Sequence, residues 1–177
     1  MTASPARLLL ALALSTLAAG IADIKVTPVV AAGQVLASFA APEAFTDDAR
    51  EVVKSGVPLT FMYDVELRRP STIWLDRTVG MATVSAKVKF DSLTSTFQVT
   101  KDQDGHTTWS KSTGKEEEMR NWITAFDSVP IKPDEPLEPN AEYYVRVRLD
   151  ARPHLKFSFW PWGRNDAAGR ADFTFIR

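Results

Sequence analysis

The sequence predicts a mainly β fold, an antiparallel β-sandwich or a strongly curved sheet with two short helices. Three observations predict it. Apolar and polar residues alternate with a period of two along 57–68, 79–90 and 143–150, as half-buried antiparallel strands require. Short turn signals separate most of the strand-like runs. Only two stretches carry helical signals, so no alternation of strand and helix argues for a parallel sheet.

The elements follow in chain order. Residues 24–30 and 34–41 read as two strands joined at Ala31-Ala32-Gly33. Pro28 makes the first an edge strand, because proline cannot donate to a ladder. A short helix follows. Thr46 is its N-cap, Asp47 and Asp48 suit the positive end of its dipole, and Gly56 stops it.

In the strand 57–68, Val57, Leu59, Phe61, Tyr63, Val65 and Leu67 point inward. Thr60, Met62, Asp64, Glu66 and Arg68 point outward. Along 79–90, Ala82, Val84, Ala86, Val88 and Phe90 turn inward. Asp104-Gly105 between Phe97–Gln103 and His106–Ser110 is a hairpin signal, since both tolerate positive φ. A Ca²⁺ loop at Asp102-Gln103-Asp104-Gly105 fails on spacing. It would put Thr100 in the first ligand position and Lys111 in the twelfth.

Thr113 with Glu116 reads as a capping box, and Met119, Trp122, Ile123 and Phe126 form one apolar helical stripe. Pro130, Pro133, Pro136 and Pro139 hold an extended acidic connection. Tyr143, Val145, Val147 and Leu149 then alternate with Tyr144, Arg146, Arg148 and Asp150. Leu155–Trp160 and Ala171–Ile176 make a last pair of strands.

Residues 1–22 have the layout of a secretory signal peptide. Arg7 precedes an apolar run, Leu8 to Leu17, and Gly20 and Ala22 are small residues placed for cleavage. The run is short for a membrane span, and retention as an anchor is the lesser reading. The expectation is an exported protein, periplasmic in a cell with two membranes, with one domain over 23–177. With no cysteine, thiol catalysis, disulfides, thiolate metal sites and lipid attachment at cysteine are closed.

Charge is uneven along a nearly neutral chain. Residues 102–142 carry four basic and ten acidic groups, and residues 143–177 carry seven basic and three acidic groups. Such a balance does not suit general nucleic-acid binding. The C-terminal excess is either a solvated strand or a basic face.

No catalytic signature is present. His106 and His154 fit no metal-ligand spacing. There is no nucleophile elbow, dinucleotide fingerprint or phosphate loop. Glu116-Glu117-Glu118 suits the first turn of a helix. The expectation is a non-enzymatic protein, with no cofactor and no metal.

Two clusters combine aromatic rings and charge. In Arg68-Arg69-Pro70-Ser71-Thr72-Ile73-Trp74-Leu75-Asp76-Arg77, Trp74 either caps the core, with Asp76 pairing Arg69 or Arg77, or forms a ligand rim with Arg69 and Asp76. In Phe157-Ser158-Phe159-Trp160-Pro161-Trp162-Gly163-Arg164, a tryptophan at a loop tip beside arginine suits a partner or membrane contact.

The chain resembles the exported bacterial family catalogued as domain of unknown function 4390. The residues that carry the likeness are Ser55-Gly56-Val57-Pro58-Leu59, Asp64-Val65-Glu66-Leu67-Arg68-Arg69, Trp74-Leu75-Asp76-Arg77, Val88-Lys89-Phe90 before Leu93-Thr94, and Tyr143 to Leu149. The likeness extends over about residues 24–176. Trp160 to Arg164 departs from the family pattern. The resemblance implies an exported protein whose family is often associated with genes for membrane sensor kinases. It implies a role in envelope sensing or protein interaction, with a sensor kinase as a candidate partner, and it brings no catalytic residues with it.

Together these features favour a module that binds an envelope protein, with membrane-surface contact as a further option. Trp160, Trp162 and Arg164 would anchor the contact, and Arg146 and Arg148 would supply a basic strand face. The alternative is a small-molecule or lipid carrier whose cavity is lined by Phe61, Tyr63, Trp122 and Phe126.

Overall fold

A computed structural model describes residues 24–71, 73, 75–150 and 167–176. Its elements run β1 (Lys25–Ala31), β2 (Gln34–Ala40), a 3-10 turn (Pro42–Ala44), α1 (Asp47–Lys54), β3 (Leu59–Arg69), β4 (Arg77–Asp91), β5 (Thr96–Gln103), β6 (His106–Thr113), α2 (Glu116–Thr124), β7 (Ala125–Ile131), β8 (Glu142–Asp150) and β9 (Ala168–Thr174). They build two antiparallel sheets. The small sheet has the order β1-β2-β7 and the large one β6-β5-β4-β3-β8-β9. The fold is mainly β and sandwich-like, as the alternation predicts.

Local chemistry explains the elements that the sequence foretells. β1 is an edge strand, and its Pro28 faces Ala37 of β2. The Thr46 hydroxyl accepts the Ala49 N–H at 3.2 Å, which caps α1. Gly56 takes φ +83° just beyond that helix. Asp104 and Gly105 take φ +48° and +82°, the left-handed pair of a tight hairpin between β5 and β6.

Several expectations are corrected. β3 begins at Leu59, so Val57 is exposed rather than inward. The capping box does not form. Lys115 is the N-cap of α2, while the Thr113 hydroxyl accepts the Lys115 N–H and donates to Glu118. Phe126 belongs to β7 and not to the helical stripe, because α2 ends at Thr124. Pro130 lies inside β7, opposite Leu36. β7 is the outer strand of the small sheet, where a missing N–H is tolerated. The last strand spans 168–174 rather than 171–176. The predicted strand Leu155–Trp160 lies outside the described residues.

The core sits between the two sheets. Phe39 of β2 stacks on Phe126 of β7 at 5.0 Å, and Tyr63 of β3 meets them at 5.2 and 5.4 Å. Tyr63 is fully buried, and its hydroxyl donates to the Ile123 carbonyl of α2 at 3.3 Å. Burial pushes the Tyr63 phenol well above its usual range. Met119 and Ile123 seal the same core from α2. Glu116 ties the helices together, accepting from Arg50 at 2.5 Å and Lys54 at 2.8 Å.

The strands of the large sheet fix which loops share an end. Arg68 of β3 faces Tyr144 of β8, which faces Asp172 of β9. Met62 faces Asp150 at the other end. The β3–β4 loop (70–76) therefore lies at one end of the sheet. The β4–β5 turn (92–95) lies at the opposite end, beyond the Leu59–Val88 pair.

Candidate functional site

The face of the large sheet turned away from the core carries an ion network. Alternation sends Glu66 and Arg68 of β3 to this face, together with Tyr144, Arg146 and Arg148 of β8. Register then sets Glu66 opposite Arg146, and Arg146 opposite Arg170 of β9. Glu66 Oε2 accepts from Arg146 at 2.6 Å and Arg68 at 3.3 Å, and Oε1 accepts from Arg148 at 2.6 Å. Three guanidinium groups thus surround one carboxylate, which is only 5% exposed. Arginine supplies five N–H donors in a planar fork. Among the described residues, Arg148 spends one of its five, on Glu66. Among the described residues, the buried Nε atoms of Arg68 and Arg146 have no hydrogen-bond partner.

The network extends toward the β3–β4 loop. Arg68 Nη2 donates to the Asp76 carbonyl at 2.6 Å. The Tyr144 hydroxyl donates to Asp76 Oδ2 at 2.7 Å, and the Ser71 N–H donates to Oδ1 at 3.0 Å. Those two hydrogen bonds, Tyr144 foremost, hold the Asp76 carboxyl below the usual carboxylate range. Burial and the bond to Asp76 push the Tyr144 phenol up. Arg170 covers the Tyr144 ring at 3.7 Å and pairs with Asp172 at 2.5 Å.

These contacts settle the partners of the first sequence cluster. Asp76 pairs with neither Arg69 nor Arg77. Arg69 makes a bidentate pair with Glu138, 2.6 Å on each arm, and Arg77 pairs with Glu135. Trp74 lies outside the described residues, as do Trp160, Trp162 and Arg164. Arg146 and Arg148 do share one face, where they serve Glu66. The sequence reading did not single out Glu66, Arg170 or the bond between Tyr144 and Asp76. The available signal was Asp64-Val65-Glu66-Leu67-Arg68, alternating charges that need a charged neighbouring strand.

A second feature is a groove of about 330 Å³ between the β5–β6 hairpin and β7, lined by Lys101, Trp109, Phe126 and Asp127 among others. The Lys101 ammonium donates to the Ala125 carbonyl at 2.7 Å. It also sits 4.4 Å from the Phe126 ring and 5.5 Å from the Trp109 ring. Burial pulls the Lys101 amine below its ordinary value. Trp109 leans edge-on against Trp122 at 4.9 Å. Of the four residues predicted to line a cavity, only Phe126 reaches this groove. Phe61 and Tyr63 are packed in the core.

A family model matches residues 18–153. The chain belongs to the DUF4390 family, domain of unknown function. The match takes in β1 to β8 and ends before β9, so Arg170 lies beyond the part matched to DUF4390. No curated protein and no solved structure matches this DUF4390 chain. Among its described residues, no helix is long and apolar enough to cross a membrane, and no group of three His, Asp or Glu could hold a metal ion.

Proposed function

We propose that this DUF4390 chain is exported and acts at the cell envelope as a non-enzymatic interaction module. Its docking surface is the outer face of β3, β8 and β9, and its partner is an envelope protein that presents an acidic segment. One observation carries the reading: three arginines converge on the single carboxylate of Glu66. Side chains held by a buried carboxylate are already ordered, so a partner that uses their remaining donors loses less entropy. The leader-like residues 1–22 support export.

Photo-crosslinking in intact cells tests the reading. A reactive residue replaces Arg148 in one variant and exposed Lys87 on β4 in another. The expected result is a discrete protein adduct from position 148 alone, weakened by Arg146→Ala. A folded, exported protein that gives no adduct, or the same adduct from both positions, overturns it.

The groove beside Lys101 favours a second reading, a carrier of a small molecule. An ammonium flanked by two aromatic rings can orient a polar group of such a ligand. Organic extraction of the purified protein followed by mass spectrometry tests this. A co-purifying ligand that is lost in Trp109→Ala supports it, and the absence of any such ligand counts against it.

A further inference from the structure

Among the described residues of the β3–β4 loop, the large apolar side chains face water while the polar groups of Asp76 are engaged within the protein. Ile73 is 83% exposed and Leu75 is 93% exposed. Meanwhile the Asp76 carboxylate is turned back onto Ser71 and Tyr144, and its carbonyl onto Arg68. A turn in a soluble protein ordinarily does the reverse. The bracing also holds the two apolar side chains out in water.

Leu93 gives the contrast. It is 95% exposed in the turn at the opposite end of the sheet, but it stands alone among Asp91, Ser92 and Thr94. Single exposed leucines are ordinary, whereas adjoining ones mark a contact. At the feet of the 70–76 loop stand Arg69 and Arg77. Each is held in an exposed pair, with Glu138 and Glu135. Exposed pairs contribute little, so these guanidinium groups can exchange a carboxylate for a phosphate at small cost.

We propose that the exposed side chains of Ile73 and Leu75 insert into the interface of a lipid bilayer, with Arg69 and Arg77 meeting lipid phosphates. An apolar tip above an arginine collar matches the layering of a bilayer, hydrocarbon within and anionic headgroups around it. Two such exposed apolar side chains also need a partner that they can enter. A fluid interface offers that without a preformed pocket. The inference is independent of the docking face, which uses Arg146 and Arg148 on the flat of the sheet.

The test uses the absence of cysteine in the chain. Leu75→Cys and Leu93→Cys each give one labelling position in the full chain for an environment-sensitive fluorophore. The proteins are mixed with vesicles of phosphatidylcholine, alone or with phosphatidylglycerol. The expected result is a blue-shifted emission, quenched by lipid-borne nitroxides, at position 75 and not at position 93. The bound fraction should be larger with phosphatidylglycerol. Adding Ile73→Ser should weaken the binding about tenfold. Attachment through the apolar segment 8–17 would bring both positions to the vesicle and insert neither. A label at 75 that stays in water on both vesicles, or a label at 93 that inserts equally, overturns the proposal.

Discussion

Tyr144 donates its hydroxyl to Asp76 Oδ2 at 2.7 Å and so ties β8 to the β3–β4 loop. Tyr144 is itself 3% exposed beneath Arg170. The loop is therefore held from one side by a phenol whose own position is fixed by packing. Asp76 is the hinge of this arrangement, since both of its carboxylate oxygens and its carbonyl accept hydrogen bonds.

This gives Asp76 a pH signature. Its folded-state pKa lies below the ordinary carboxylate value of 3.8. A depressed carboxylate contributes stability that is present above the unfolded value and is lost as pH falls through the folded one. Wild type should therefore exceed Asp76→Asn in Tm at neutral pH, and the difference should shrink below pH 3.8. Melting curves across the acid range check this. A difference that does not change with pH would mean that the carboxylate charge is not what braces the loop.

The Glu66 cluster predicts unequal costs for its members. Glu66→Ala leaves three arginines facing one another with no counter-ion on a desolvated surface. Removing one member of a buried ionic group costs about 3 kcal/mol. Arg148 is 49% exposed, and Arg148→Ala should cost less than about 1 kcal/mol. Urea unfolding of both variants distinguishes them. Equal small losses would show that water screens Glu66.

The sequence made local features legible and left cross-strand ones hidden. Thr46, Gly56 and Asp104-Gly105 act on their own neighbours, so their roles could be read directly. The alternation of β3 and β8 was equally plain. Phe126 was misread because i+7 periodicity from Met119 continues by coincidence past the point where Ala125 turns extended. Glu66 points outward as the alternation predicts, yet it is buried, because the period of two separates faces and says nothing about what covers them. Its partners Arg146 and Arg148 lie 80 and 82 positions away. Only the register of β3 with β8 brings them together.

Gly169 predicts how β1 is seated. A Cβ at that position would stand 1.9 Å from the Ile24 carbonyl oxygen. Backbone on both sides of the contact leaves no flexible atom to yield. Gly169→Ala should destabilise the fold by about 3 kcal/mol, the upper end of ordinary overpacking, and should speed hydrogen exchange in β1. Gly114 is the control, because the nearest atom to its Cβ would be 3.8 Å away. Gly114→Ala should leave both measurements unchanged.

Lys101 predicts a pH dependence of the same sign as that of Asp76, but in the alkaline range. Burial lowers its folded-state pKa below the ordinary 10.5, and Asp127 offsets only part of the shift. Between the lowered value and 10.5 the unfolded chain binds the extra proton, so this lysine makes stability rise with pH. Lys101→Met removes that penalty and also removes the hydrogen bond to Ala125. The stability of wild type relative to Lys101→Met should therefore climb as pH is raised toward 10.5, whatever the offset at neutral pH. Melting temperatures of the pair along the alkaline range give the slope directly. A flat difference would place the ammonium in contact with water and weaken the carrier reading of the groove. A rising one means that the fold keeps a charge where it costs stability, which is the pattern of a group retained for a ligand rather than for folding.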